Sequence, residues 1–234
     1  MCENRAAQIL DQIRRLSSPI FKQQMEKRFG INTEYALGTP VTQLRALVKP
    51  FQKPDQPLAD ALWKTGIHEA RITASMFADP LRMTRTHLNS WVRVLNSWDI
   101  CDACANNVFS KTKEPLILAR TWIAQKEEFT RRAGFATLAM LALPRAVIAD
   151  TQLRAQLPLI KKHAADPRPM VYKAVNWALR NIGKKNPRLT PHAQQCAREI
   201  LDLYPQNRTA RWVALDTLRE LANPKIRLMI AKRK

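Results

Sequence analysis

Apolar residues recur along this chain at helical spacing, and no run of alternating apolar and polar residues is long enough to indicate a β-strand. The first apolar stripe comprises Ile9, Leu10, Ile13 and Leu16. Later stripes predict helices over residues 58–64, 68–78, 85–96, 98–110, 115–126, 129–142, 151–164, 170–184, 191–203 and 209–221. Short connections, several of them marked by proline, join these segments. The pattern therefore predicts about a dozen short helices.

Local signals mark several helix ends. Ser18-Pro19 is typical of an N-cap followed by proline at the first helical position, and Gly30 is typical of a helix stop. Thr39-Pro40 predicts a second start of the same kind, and Pro50 ends that segment. The last residues, 224–234, predict either a final helix or a frayed basic tail.

Many short helices with short loops favour stacked helix pairs over a four-helix bundle. A weak internal repeat supports the stacked helix pairs. A basic residue stands beside alanine early in four predicted helices, at Arg71, Arg132, Lys173 and Arg211. The last two intervals are about 40 residues, which is compatible with HEAT-type repeats. We predict an all-α fold, a curved solenoid of HEAT-like helix pairs (an α-α superhelix), forming one domain over residues 1–234.

Charge points to a polyanionic partner. The 234 residues include 39 Lys and Arg against 19 Asp and Glu, a formal net charge of +20. Such an excess repels itself in a compact state, and it far exceeds the net charge that solubility requires. Contacts with phosphates would release counterions and relieve the repulsion. A surface that merely aids solubility is the alternative reading.

Other function classes find little support in the sequence. No apolar segment has the length of a membrane span or the form of a signal peptide, and the few scattered cysteines fit a reducing cytoplasm. Cys101 and Cys104 have redox or zinc spacing, but without a second pair we read them as buried helix residues. No glycine-rich phosphate loop or paired metal-ligand motif occurs. We therefore expect no metal and no cofactor.

Two helical segments combine aromatic and charged residues that are suited to chemistry or to binding a sugar–phosphate surface. Trp98 and Asp102 are four apart, so the indole and the carboxylate share one helix face. Lys173, Trp177 and Arg180 place two cations beside an indole, an arrangement that suits a sugar–phosphate surface. From spacing alone, both tryptophans can equally be core residues edged by surface charges.

With two further segments, these helices resemble the AlkD-type DNA glycosylase family. In chain order the matching segments are Leu37-Gly38-Thr39-Pro40, Trp98-Asp99-Ile100-Cys101-Asp102, Arg131-Arg132-Ala133 and the block from Lys173-Ala174 to Trp177-Ala178-Leu179-Arg180, followed by Asn186-Pro187. The resemblance runs from about residue 21 to residue 186. Each motif alone is weak, but four in register are specific.

The resemblance implies an enzyme that removes alkylated purines from duplex DNA. By matching position, Asp102 would be the catalytic carboxylate, with Trp98 and Trp177 framing the deoxyribose and Arg132 holding a phosphate near the lesion. The neighbouring basic side chains that we assign to DNA binding are Lys173, Arg180 and Arg71. An asymmetric lesion makes a monomer the simpler expectation.

The chain also departs from the family pattern. Ser97 stands where family members often have a second tryptophan, and the second helix lacks the usual tyrosine, for which Phe29 is the best-placed substitute. Because of these departures, the family resemblance does not determine the lesion preference or the DNA affinity of this chain. The main alternative is a non-catalytic binder of damaged or branched DNA on the same scaffold. A HEAT-type scaffold for protein or RNA is the more distant one.

Overall fold

The computed structural model describes residues 2–233, which form fifteen α-helices and one 3₁₀ turn without any strand. The chain divides into two compact units, Met1–Pro115 and Leu116–Lys234. In a helical repeat protein each repeat contacts mainly its neighbours, so one continuous domain can also divide into two compact halves. One domain over residues 1–234 therefore stays a prediction. Within residues 2–233, every helix is too short or too polar to cross a membrane.

The first unit is built around α5. Its helices are α1 (Cys2–Arg15), α2 (Pro19–Lys27), α3 (Val41–Val48), α4 (Gln56–Lys64), α5 (His68–Phe77), α6 (Arg85–Arg93) and α7 (Trp98–Asn107), followed by the 3₁₀ turn Phe109–Lys111. Helix α5 packs against α1, α3, α4 and α7. The rings of Trp63 and Trp91 stack with their centroids 3.9 Å apart and their planes 2° from parallel. Burial of these large rings removes apolar surface from water and stabilises the unit.

The second unit is built around α12. Its helices are α8 (Pro115–Ile123), which begins at the boundary, α9 (Glu128–Leu141), α10 (Asp150–Arg154), α11 (Leu157–His163), α12 (Pro169–Lys185), α13 (Leu189–Leu203), α14 (Arg208–Ala222) and α15 (Pro224–Ala231). Helix α12 packs against α9, α13 and α14. A Cβ on Gly134 would lie 2.6 Å from the Ala119 carbonyl oxygen. The close approach of α8 and α9 therefore requires glycine at this position.

Most predicted helix boundaries agree with the structure to within a few residues. The Ser18 hydroxyl accepts the N–H of Phe21 at 3.2 Å, which confirms Ser18 as an N-cap. Gly30 has φ +61° and donates its N–H to the Glu26 carbonyl, which confirms a left-handed stop shortly after α2. Of the two readings of the C-terminal segment, the helix is correct, since α15 occupies Pro224–Ala231.

Two local predictions are wrong. Thr39 is not an N-cap: Pro40 occupies that position, and the buried Thr39 hydroxyl donates to the Ile13 carbonyl at 2.9 Å. The single helix predicted over residues 151–164 is two helices, α10 and α11, with Pro158 in the first turn of the second. Proline lacks the N–H that would bond to the Arg154 carbonyl, so a continuous helix is disfavoured there.

Candidate active site

Helix α7 presents Trp98 and Asp102 on one half-exposed face. The opposite face is buried and carries Ile100, Cys101 and Cys104. This division explains why the four-residue spacing matters: the apolar face fixes the helix in the core, and the indole and carboxylate stay within reach of a ligand. The shared face predicted for Trp98 and Asp102 is confirmed.

The first turn of α7 is attached to α5 by a buried polar pair. Nε2 of His68 lies 2.8 Å from Oδ2 of Asp99, and these side chains are only 3% and 13% exposed. Burial alone would raise the pKa of Asp99, but hydrogen bonds from His68, Ser97 and the Ile100 N–H outweigh it and lower that pKa. Asp99 lies in the first turn of α7, and its main partner is a histidine that no sequence motif singled out.

The start of α5 also holds the Leu37-Gly38-Thr39 loop. The fully buried Glu69 carboxylate accepts the N–H groups of Leu37, Gly38 and Thr39 at 2.8, 2.7 and 3.2 Å. The His68 N–H donates to the Tyr35 carbonyl at 2.9 Å. Hydrogen bonds to a charged acceptor are the stronger kind, so α5 fixes this loop and the start of α7 together.

Trp98 also contacts the N-terminal segment. Its Nε1–H donates to the Phe29 carbonyl at 3.0 Å. The indole packs with Phe21 on a small buried cluster formed by Met25, Ile31 and Ala36. The Phe29 ring is 38% exposed, with the Arg28 guanidinium carbon 5.4 Å from its centroid. The first unit thus places Phe29 beside Trp98, one helical turn from Asp102.

Replacing Trp98 with phenylalanine tests this attachment. An aromatic ring is kept while the indole N–H and its hydrogen bond to the Phe29 carbonyl are lost, at a cost of about 1 kcal/mol. We expect amide hydrogen exchange in residues 29–36 to become about five-fold faster, with exchange in α12 unchanged. Trp212→Phe is the matched control, because that ring lies in the second unit and is 42% exposed. Unchanged exchange in residues 29–36 would contradict the proposed attachment.

Arg71 lies among internal contacts of the first unit. Its Nη1 donates to the Val94 carbonyl at 3.1 Å, and its guanidinium carbon lies 5.5 Å from the centroid of the Trp63 ring. Partial burial lowers the pKa of Arg71 from its usual value. Its predicted contact with DNA stays a prediction.

In the second unit, α12 carries Lys173, Trp177 and Arg180 on its less buried side. Lys173 is exposed, and the half-buried Trp177 packs against the core of the unit. Nη1 of Arg180 lies 2.6 Å from a Glu220 oxygen and 3.3 Å from an Asp216 oxygen, both on α14. These carboxylates neutralise much of the Arg180 charge, so Lys173 is the stronger candidate of the two for a phosphate contact.

Arg132 joins α9 to the start of α12. It is only 6% exposed, and its Nη1 donates to the Met170 carbonyl at 2.8 Å. Its neighbour Arg131 donates to the Ile123 carbonyl at 3.0 Å and to Asp166 at 2.9 Å. The predicted phosphate contact of Arg132 would therefore have to be made by a guanidinium already bound to the α12 backbone.

Asp166 organises the loop that precedes α12. Its side chain is 5% exposed and accepts from the guanidinium groups of Arg131 and Arg168. Burial opposes its ionisation, but the hydrogen bonds from Arg168 and Arg131 prevail and lower the pKa of Asp166 to about 2. Arg168 in turn donates to the Lys126 carbonyl at 2.6 Å. The network sets the position of the α12 start, which Arg132 contacts.

Three cysteines of the described helices lie in the core. Cys101 and Cys104 are buried in α7, as predicted, and Cys196 is buried in α13. Burial raises the pKa of Cys196 to about 12 and raises that of Cys104 as well, so neither thiol is reactive at neutral pH. Within residues 2–233, no group of three or more His, Cys, Asp or Glu side chains could hold a metal ion.

Comparison with known proteins gives two findings. The family model for the DNA alkylation repair enzyme matches residues 9–193. A solved structure described as "a new family of proteins related to the HEAT-like repeat DNA glycosylases with affinity for branched DNA structures" matches with a TM-score of 0.74. It is 21% identical and covers 82% of each chain. No curated protein matches. The all-helical, HEAT-like fold predicted from the sequence is thereby confirmed.

Proposed function

The chain belongs to the DNA alkylation repair enzyme family, and on this premise we propose that it is a DNA glycosylase. Its substrates would be purines made cationic by alkylation at N3 or N7 in duplex DNA, and the reaction would hydrolyse the N-glycosidic bond. One observation carries the proposal. Asp102 shares the accessible face of α7 with Trp98, in a chain whose charge is otherwise suited to binding phosphate.

A single carboxylate is enough for this reaction. Departure of the base leaves oxocarbenium character on the deoxyribose, and a nearby carboxylate stabilises that charge. It also orients the attacking water as a general base. An alkylated purine that is already cationic leaves as a neutral molecule, so the leaving group needs no general acid. Hydrolysis of this kind uses neither a metal nor a cofactor, and we expect full activity in EDTA.

The remaining assigned residues would bind and orient the DNA. The faces of Trp98 and Trp177 attract positive charge on the sugar or base. Phe29 lies just after α2, is 38% exposed and contacts Trp98 through its carbonyl, so it would supply the aromatic contact in place of the family's tyrosine. The basic residues assigned to phosphate contacts are Arg132, Lys173, Arg180 and Arg71. We propose that the protein acts as a monomer, because a lesion lies on one strand only.

A non-catalytic role in binding branched DNA is the second candidate. The observation that favours it is the likeness to the solved structure whose description names affinity for branched DNA. Asp102 argues against it. An aspartate in a surface that binds phosphate weakens affinity, and a protein that only binds has no use for it.

One assay distinguishes these functions. Duplex DNA treated with a methylating agent is incubated with the protein in EDTA, and free 3-methyladenine and 7-methylguanine are measured. We expect release of methylated purine at a rate well above that of spontaneous depurination. Tight binding of a three-way junction without release would instead favour the branched-DNA role. Equal binding of RNA and DNA without release would favour a general scaffold.

A further inference from the structure

A basic groove of about 550 Å³ lies on the first unit. Its cationic lining consists of Arg45 on α3, Lys49 at the end of α3, Lys53 in the following loop and Lys111 in the 3₁₀ turn after α7. No aspartate or glutamate is among its lining residues within the described part of the chain. We call this feature the Lys49 groove. It shares no lining residue with the neighbourhood of Phe29, Trp98 and Asp102.

Three cations of the Lys49 groove are exposed and unpaired within residues 2–233. Arg45, Lys49 and Lys53 are exposed, and among residues 2–233 no carboxylate pairs with any of the three. Cations of the second unit differ, since Arg180 and Lys184 both pair with Glu220. Like charges collected around one concavity repel each other, and an anionic ligand relieves that repulsion.

Two polar side chains of the groove are held in place by hydrogen bonds. Nδ2 of Asn107 donates to the Ser75 hydroxyl at 2.9 Å, and that hydroxyl donates to the Ile72 carbonyl at 2.6 Å. The Lys53 ammonium lies 5.7 Å from the centroid of the Phe77 ring. The hydrogen bonds hold Asn107 and Ser75 in place before a ligand arrives, which lowers the ordering entropy that binding would cost.

Size and spacing identify the class of ligand. A cavity of this volume accepts a small molecule or a few linked groups of one chain, and it is far too small for a duplex. Arg45 and Lys49 are four residues apart, which is about 6 Å along the helix axis. That separation suits successive charges on a chain better than one small anion. Among residues 2–233 no aromatic side chain lines the groove, so recognition would be through the backbone and not through base stacking.

We propose that the Lys49 groove binds the phosphodiester backbone of a single-stranded DNA segment adjoining the duplex on which the protein acts. This inference rests on the proposed function for its duplex substrate. It adds a second binding element, one that distinguishes DNA with an unpaired arm from a blunt duplex.

The test compares a labelled blunt duplex with the same duplex carrying an eight-nucleotide overhang. We expect the wild-type protein to bind the overhang substrate about ten-fold more tightly, since two contacts of about 0.7 kcal/mol each give that factor. Lys49→Gln/Lys53→Gln should abolish this preference while leaving blunt-duplex affinity and base release within two-fold. In the same variant, the slope of log affinity against log salt concentration for the overhang substrate should decrease in magnitude by about 1.4, because two phosphate contacts with a single strand are lost.

Two controls separate the groove from general electrostatics. Lys64→Gln/Lys113→Gln removes two exposed lysines of the same unit outside the groove and should keep the preference. Lys49→Arg/Lys53→Arg retains the charge and should also keep it. Equal loss of blunt and overhang binding in the Gln variant would overturn the inference, as would tighter binding of an RNA overhang or full competition by millimolar inorganic phosphate. Failure to release methylated purine, with the preference intact, would instead overturn only the proposed glycosylase activity.

Discussion

Asp102→Asn is expected to lower the rate of base release by about 10²–10³-fold. The amide keeps the size of the carboxylate but loses the negative charge that would stabilise the oxocarbenium ion. DNA affinity should be unchanged or slightly higher, because an anion has been removed from a basic surface. Single-turnover release of 7-methylguanine gives the first quantity, and fluorescence anisotropy with an unmodified duplex gives the second.

The matched control for this substitution is Asp11→Asn. Asp11 forms an exposed ion pair with Arg15 on α1, and such pairs contribute little. The control should therefore keep wild-type activity and affinity. Equal activity in Asp102→Asn would remove Asp102 from the mechanism. A parallel loss of DNA binding would indicate a structural role for the carboxylate.

Asp166→Asn should lower the free energy of unfolding by about 3 kcal/mol at pH 7. The buried carboxylate accepts from Arg131 Nη1 at 2.9 Å and from Arg168 Nη2 at 2.6 Å. Without the negative charge of Asp166, the Arg131 and Arg168 guanidinium groups lose their shared counterion. Removing one partner of a buried ion pair is strongly destabilising, because the remaining charge is left uncompensated. Urea denaturation measures the change. The exposed Asp202→Asn is the control and should have almost no effect.

The same residue predicts a dependence of stability on pH. The pKa of Asp166 is about 2 in the folded protein, below the ordinary aspartate value, so folding favours the ionised form. Its contribution is complete above pH 4 and is lost as the pH falls from about 4 towards 2. The lost part is about 2 kcal/mol. Asp166→Asn should flatten the stability profile in this window, and an unchanged slope would contradict the role of the network.

The helical fold was predictable because its signals are local. Apolar spacing along each segment decides which face is buried, and this holds for α7, where four-residue spacing placed Trp98 and Asp102 together. The Ser18 cap was predictable for the same reason, since its partner Phe21 is three residues away. The sequence alone thus determined the helices, their approximate ends and the main candidates for chemistry.

Only the tertiary structure decided which partners these residues meet. Asp99 pairs with His68, Glu69 holds the loop at Gly38, and Arg180 meets Glu220, across 31, 31 and 40 residues of sequence. Spacing along a chain carries no record of such distant contacts, because packing brings these groups together only after the helices have formed. Whether an arginine meets phosphate or a carboxylate of its own chain is therefore settled by the fold.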